Sequence, residues 1–147
     1  MAGDVAGDAP PAGYVRAQGS DAPRRAFRIT LGLRRGFGEE GRIYDMEEAV
    51  RAALAWMRRR SAEGEPFVTG MFTRGEVLYA NPRDGAADRE PVAVFSGEIL
   101  WGMPGSDLDD EAVMAVLDDL AGSVGAVLGQ EEVHVAFRDR GWTLRRA

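Results

Sequence analysis

The chain contains no cysteine, so it can form no disulfide and has no thiol nucleophile or thiolate metal ligand. Its single histidine argues against a conventional zinc site, which draws on several His or Cys ligands. No segment approaches the ~20 consecutive apolar residues of a membrane helix. The first residues lack the basic start and apolar run of a secretory signal. We therefore expect a cytoplasmic protein without a metal or another cofactor.

Lysine is also absent, and all 18 basic residues are arginines, against 24 acidic residues. The resulting net charge of −6 argues against general nucleic-acid binding, because neutralising phosphates needs concentrated positive charge. Arginine pairs bidentately with carboxylate or phosphate. Local recognition of an anion is therefore still compatible with the composition.

The composition divides the chain into two parts. Residues 1–25 are rich in Ala, Gly, Pro, Asp and Ser, and their only sizeable apolar side chains are Val5, Tyr14 and Val15. So little apolar surface cannot offset the entropy of ordering, and we predict a disordered N-terminal tail. Residues 26–147 hold most of the apolar residues and are predicted to form a single α+β domain.

The first half of that domain begins with an alternation of apolar and polar residues over 27–34, which predicts a half-buried strand. Asp45 and Glu48 have the spacing of a capping box, and apolar residues then recur at helical spacing. Two further strands are predicted at 67–73 and 76–80, joined by a tight turn at Arg74-Gly75.

Residues 81–91 are predicted to form an exposed loop, and the second half of the domain begins with an apolar strand at 92–101. A second helix is predicted to begin near Asp107, with acidic residues in its first turn. Alternation over 132–138 predicts another strand, and 142–145 a short last one.

This order of elements matches the split β-α-β, ferredoxin-like plan, with an extra hairpin and a C-terminal strand. Right-handed crossovers would place both helices on one face of the antiparallel sheet and leave the other face open.

The segment before the last core strand carries a short motif. The core, residues 27–137, resembles small bacterial ferredoxin-like proteins in which Gly-Gln-Glu-x-Val-x-Val leads into that strand. Here the motif has one additional Glu and reads Gly129-Gln130-Glu131-Glu132-Val133-His134-Val135. The resemblance implies the fold, and it implies no activity because these proteins share no agreed one.

A first candidate site is the glycine-rich loop after the first strand, Gly36-Phe37-Gly38-Glu39-Glu40-Gly41. A dinucleotide site needs its helix to begin inside such a motif, whereas the capping signal here comes later. Two glutamates would also repel phosphate. A flexible loop is favoured. A nucleotide-binding loop remains open, as does a loop that binds an acidic ligand or partner through Arg34, Arg35 and Arg42.

The second candidate is the open sheet face, to which alternation assigns Arg28, Thr30, Arg34, Glu132, His134, Ala136 and Arg138. A solvated or dimer-covered face is favoured, with a ligand-binding patch of His134 and arginines as the alternative. His134 could also act as a general base, since imidazole titrates near neutrality.

Glu98, in the apolar strand, is the third candidate. A structural ion pair with an arginine of the open face is favoured for it. The alternative is an acid in a pocket with Tyr79 and Trp101.

The leading function hypothesis is a small non-catalytic binding or interaction protein that forms a homodimer through its sheet and recognises a macromolecule or an acidic ligand. Its ligand-contacting residues would be Arg28, Arg34, Arg35, Arg42, His134 and Arg138. The alternative is a small enzyme that uses His134, Glu98 and the arginines for acid–base chemistry in an open-face pocket. A third possibility is an antitoxin- or immunity-type inhibitor with a basic partner.

Overall fold

The computed structural model describes residues 13–36 and 41–147. Its helices and strands, in chain order, are β1 Ala26–Gly32, α1 Met46–Ala62, β2 Met71–Ala80, β3 Ala87–Glu98, α2 Asp110–Val127, β4 Glu132–Phe137 and β5 Arg140–Arg145. The described part of the predicted tail, residues 13–25, forms neither a helix nor a strand. Within the described ranges, neither helix is long and apolar enough to cross a membrane.

All five strands belong to one sheet in the order β2-β3-β1-β4-β5, and every neighbouring pair is antiparallel. The first four strands and the two helices follow the ferredoxin-like plan, and β5 adds a fifth strand at the β4 edge. The predicted fold class is therefore confirmed.

The core lies between the sheet and the two helices, because each element is apolar on one side. In β1, Phe27, Ile29 and Leu31 are buried and alternate with residues that face away. The helices contribute Trp56 from α1 and Leu117 from α2, both fully buried. Burying a side chain of this size stabilises the folded state by about 1.5–3 kcal/mol. The sheet face with the apolar residues is therefore covered by the helices, and the opposite face stays open.

The capping box predicted for α1 is present in both halves. The Glu48 amide donates to Asp45 Oδ1, and the Asp45 amide donates to Glu48 Oε2, each at 3.1 Å. The second helix begins at Asp110, three residues later than predicted, because Asp109 is the residue whose side chain accepts from a first-turn amide, at 2.8 Å from Ala112.

The turn predicted at Arg74-Gly75 is wrong. β2 runs without interruption through both residues, and Gly75 pairs with Val92 of β3. The chain reverses between Asn81 and Ala86, whose backbone groups are hydrogen-bonded at 2.8 Å. The loop predicted at 81–91 is correspondingly shorter. This hairpin is exposed on both faces over most of its length. Polar residues therefore occur within its strands, and their presence does not indicate a turn.

Candidate functional site

The strand register defines the residues of the open face, since directly opposed residues in antiparallel strands point to the same side. Three rows cross β4, β1 and β3 on this side. In the order β4 side, β1, β3, the first row is Arg138, Ala26 and Glu98. The second row is Ala136, Arg28 and Ser96, and the third is His134, Thr30 and Val94. The first two rows combine charged side chains with small ones. They form a depression instead of a flat surface.

A cavity of about 510 Å³ occupies that depression, and we call it the open-face cleft. Arg28, Glu98 and Arg138 line its sides, while Ala26 and Ala136 are small enough to leave space between them. The cleft therefore presents three guanidinium groups, those of Arg24, Arg28 and Arg138, and one carboxylate above a floor of small residues. Such a set suits a ligand that carries both a negative and a positive group.

Glu98 is half-buried at the end of β3, and its carboxylate accepts a hydrogen bond from Arg24 Nε. The ion pair expected for Glu98 therefore exists, but its partner comes from the segment before β1 and not from the open face. The proposed pocket with Tyr79 does not form. Tyr79 pairs with Asp88, ten residues along β3 from Glu98 and thus about 33 Å away.

Arg138 occupies the turn between β4 and β5. Its amide donates to Ala26 O at 2.9 Å, which fixes the turn to β1. Its Nη1 donates to Asp110 Oδ2 at 3.0 Å, and the other oxygen of Asp110 accepts from Arg25 Nη2 at 3.0 Å. The first residue of α2 thus holds an arginine at the edge of the cleft.

His134 lies on the open face but outside the cleft. Its Nδ1 is 2.9 Å from Thr143 Oγ1, and it lines a neighbouring cavity of about 290 Å³ that shares Arg28 with the cleft. His134 and Glu98 are separated by two strand spacings and four residues along the strands, or about 16 Å. They therefore do not form the acid–base pair considered for an enzyme.

The loop arginines lie beyond the other end of β1 and do not join the cleft. Arg42 pairs with Glu48 at 2.7 Å and stacks over the Tyr44 ring, 4.3 Å from its centroid. Arg34 bridges to Ile43, and Arg35 packs its side chain against Gly129. Residues 37–40 of the glycine-rich motif lie outside the described residues, so its interpretations stay predictions.

Sequence reasoning missed Arg24 and Asp110. Arg24 belongs to the segment assigned to a disordered tail, and Asp110 was explained by helix capping alone. Alternation did assign Arg138 to the open face, but the structure places it in the two-residue turn between β4 and β5 and not in the strand. Within the described ranges, no three His, Cys, Asp or Glu side chains are placed to hold a metal ion.

The chain is thus an α+β protein with a ferredoxin-like sheet, two helices on one face and a charged cleft on the other. No protein-family model matches it, and no curated protein is significantly similar to it in sequence. Its fold is shared with solved structures of a phage SAM lyase. The complex of that enzyme with S-methyl-5'-thioadenosine has a TM-score of 0.64 at 18% identity, over 90% of this chain and 97% of that one. The apo state has a TM-score of 0.62 at 17% identity, over 90% and 96%.

This comparison contradicts the prediction of a non-catalytic binding or interaction protein, because these two solved structures, which share the fold over nine-tenths of the chain, are of an enzyme. The comparison agrees with the ferredoxin-like fold that the motif at residues 129–135 implied. The structural neighbours are phage proteins, however, whereas the motif pointed to bacterial ones.

Proposed function

We propose that this chain is a small enzyme that acts at the open-face cleft, and that its substrate is S-adenosylmethionine (SAM). The observation that carries the proposal is the cleft itself, in which Arg28, Arg138 and Glu98 surround a floor of small residues. It occurs in a fold shared with a SAM lyase over 90% of the chain.

The charges of the cleft complement those of SAM, which carries a carboxylate, an ammonium and a sulfonium group. Arg28 has no hydrogen-bond or ion-pair partner in the part of the chain that the structure describes, so its guanidinium is available for a carboxylate. Glu98 supplies a carboxylate for a cationic group, which would compete with Arg24 for it. The net charge of −6 also attracts a cationic substrate over a longer range.

The proposed reaction breaks the bond between the sulfonium sulfur and Cγ of the four-carbon amino-acid chain, and it releases S-methyl-5'-thioadenosine. The electron pair of that bond goes to sulfur, which becomes neutral. Without water, the substrate itself must supply the replacing electron pair, either from its carboxylate oxygen to Cγ or from a C–H bond at Cβ. Either the substrate carboxylate attacks Cγ and closes a lactone, or a base removes a Cβ proton and leaves an alkene.

The cleft favours lactone closure. Its one carboxylate, Glu98, is engaged by Arg24, and the imidazole of His134 lies outside the cleft beside Thr143. Lactone closure moves no proton, so it needs neither group as a base. The enzyme would then act by holding the carboxylate near Cγ, which is catalysis by orientation.

Incubation of the purified chain with SAM tests this function, with both products identified by liquid chromatography and mass spectrometry. We expect S-methyl-5'-thioadenosine and a four-carbon lactone in equal amounts. Arg28→Ala should lower kcat/KM at least ~10-fold, because a charge-assisted hydrogen bond contributes about 1.5–3 kcal/mol. Arg58→Ala is the matched control, since Arg58 is exposed on α1. Absence of turnover and of SAM binding would overturn the proposal.

A further inference from the structure

Arg138 has a backbone conformation that normally belongs to glycine. Its φ is 56°, and among the described residues it is the only non-glycine residue with a positive φ. It is the first of the two residues that link Phe137 of β4 to Arg140 of β5. Glycine is favoured at this position, because a Cβ is strained in the left-handed region. Glycine would close this hairpin with less strain, so the arginine side chain is expected to have a role of its own.

The contacts of Arg138 show what the position achieves. The backbone bond to Ala26 places Arg138 between two cavities, the open-face cleft and a second one of about 680 Å³. Its guanidinium is held by Asp110, which lines only the second cavity. The ion pair alone does not explain the strained residue, because the Arg138 side chain is 35% exposed and exposed pairs contribute little to stability. Asp110 is itself held by Arg25, which also donates to Leu108 O at 2.8 Å.

We infer that Arg138, together with Arg28, forms a carboxylate-binding subsite that recognises the amino-acid end of the substrate. Arg138 and Glu98 face each other across Ala26, with their Cα atoms about 10 Å apart. An α-amino acid group carries a carboxylate and an ammonium side by side, and it suits a space between an arginine and a glutamate. Asp110 is a positioning residue, because it acts through Arg138.

This inference rests on the proposed function and adds a specificity rule to it. SAM carries the amino-acid group, whereas the product S-methyl-5'-thioadenosine does not. The subsite therefore strengthens binding of the substrate and leaves binding of the product unaffected. Release of the product would follow from the loss of that contact.

The variant Arg138→Gly tests the subsite, because glycine relieves the strained backbone while it removes the guanidinium. We expect the melting temperature to stay the same or rise. Isothermal titration should show SAM binding weakened at least ~10-fold, the loss expected for a charge-assisted hydrogen bond, with S-methyl-5'-thioadenosine binding changed less than ~2-fold. Arg138→Lys should recover part of the SAM affinity. Asp110→Asn should weaken SAM binding selectively in the same way.

Arg140→Ala is the control for the same hairpin, since Arg140 lines the second cavity with Arg138 but does not line the cleft. A lower melting temperature of Arg138→Gly with an unchanged ratio of SAM to product affinity would assign Arg138 a structural role and overturn the inference. If the wild type converts SAM while Arg138→Gly binds it equally well, the inference fails and the proposed function stands. If the wild type binds neither compound, both fail.

Discussion

Glu98 is the one carboxylate of the open-face cleft, and it accepts a hydrogen bond from Arg24. Exchanging it for glutamine keeps its size and removes its charge. We expect Glu98→Gln to raise KM for SAM at least ~10-fold, since a charge-assisted contact with the substrate cation is lost. Arg24→Gln should have the opposite effect or none, because Arg24 competes with the substrate for Glu98. Steady-state kinetics on both variants gives the comparison, and a loss of affinity with Arg24→Gln would contradict this role.

Trp56 and Trp142 differ in burial, so we expect them to contribute differently to stability. Trp56 is 1% exposed and its Nε1 donates to Asp119 at 2.7 Å, whereas Trp142 is half-buried and donates to Asp118 at 2.7 Å. Trp56→Phe should lower the free energy of unfolding by about 1–3 kcal/mol, because it removes a hydrogen bond to a charged acceptor and leaves a cavity. Urea denaturation should show a smaller loss for Trp142→Phe. Equal losses would contradict the assigned difference in burial.

At the scale of elements, α2 contains two glycines with opposite surroundings. A Cβ at Gly122 would meet nothing within 4 Å, whereas one at Gly125 would lie 2.7 Å from Val133 Cγ2. Gly122→Ala should raise the free energy of unfolding by about 0.5–1 kcal/mol through helix propensity. Gly125→Ala should lower it by about 1–3 kcal/mol through overpacking against β4. Chemical denaturation of both variants decides this, and stabilisation by Gly125→Ala would mean that α2 does not approach β4 so closely.

The predictions from sequence succeeded for elements with one buried face and failed where both faces are exposed. Periodicity located β1, α1 and β4, because apolar residues recur at the spacing of the face that meets the core. It failed in the β2–β3 hairpin, where little of the chain is buried and Arg74-Gly75 looked like a turn.

The candidate site could be predicted only in part for a related reason. Alternation along a strand assigned Arg28, His134 and Arg138 to the open face, but it carries no information about register between strands. The distance of about 16 Å between His134 and Glu98, and the position of Ala26 between two charged residues, depend on that register.

For the whole molecule, the open face extends beyond the cleft onto β2, where apolar side chains remain uncovered. Met71 is 64% exposed, Val77 43% and Tyr79 45%, and all three lie on this face by register. We propose that a second copy of the chain covers them, as in the homodimer expected from the sequence. Light scattering after size-exclusion chromatography should give a mass above the 15.9 kDa of one chain, and Met71→Glu should reduce it. A wild-type monomer at high micromolar concentration would contradict the homodimer.

The central claim is that the open-face cleft is the place where this protein binds SAM. The most direct measurement is an amide nuclear magnetic resonance titration of the wild-type chain with SAM. We predict saturable shifts of the Ala26, Arg28, Ser96 and Glu98 amides, which belong to the two rows of the cleft. Shifts confined to the β2–β3 turn or to the glycine-rich loop, or no shifts at millimolar SAM, would contradict the claim.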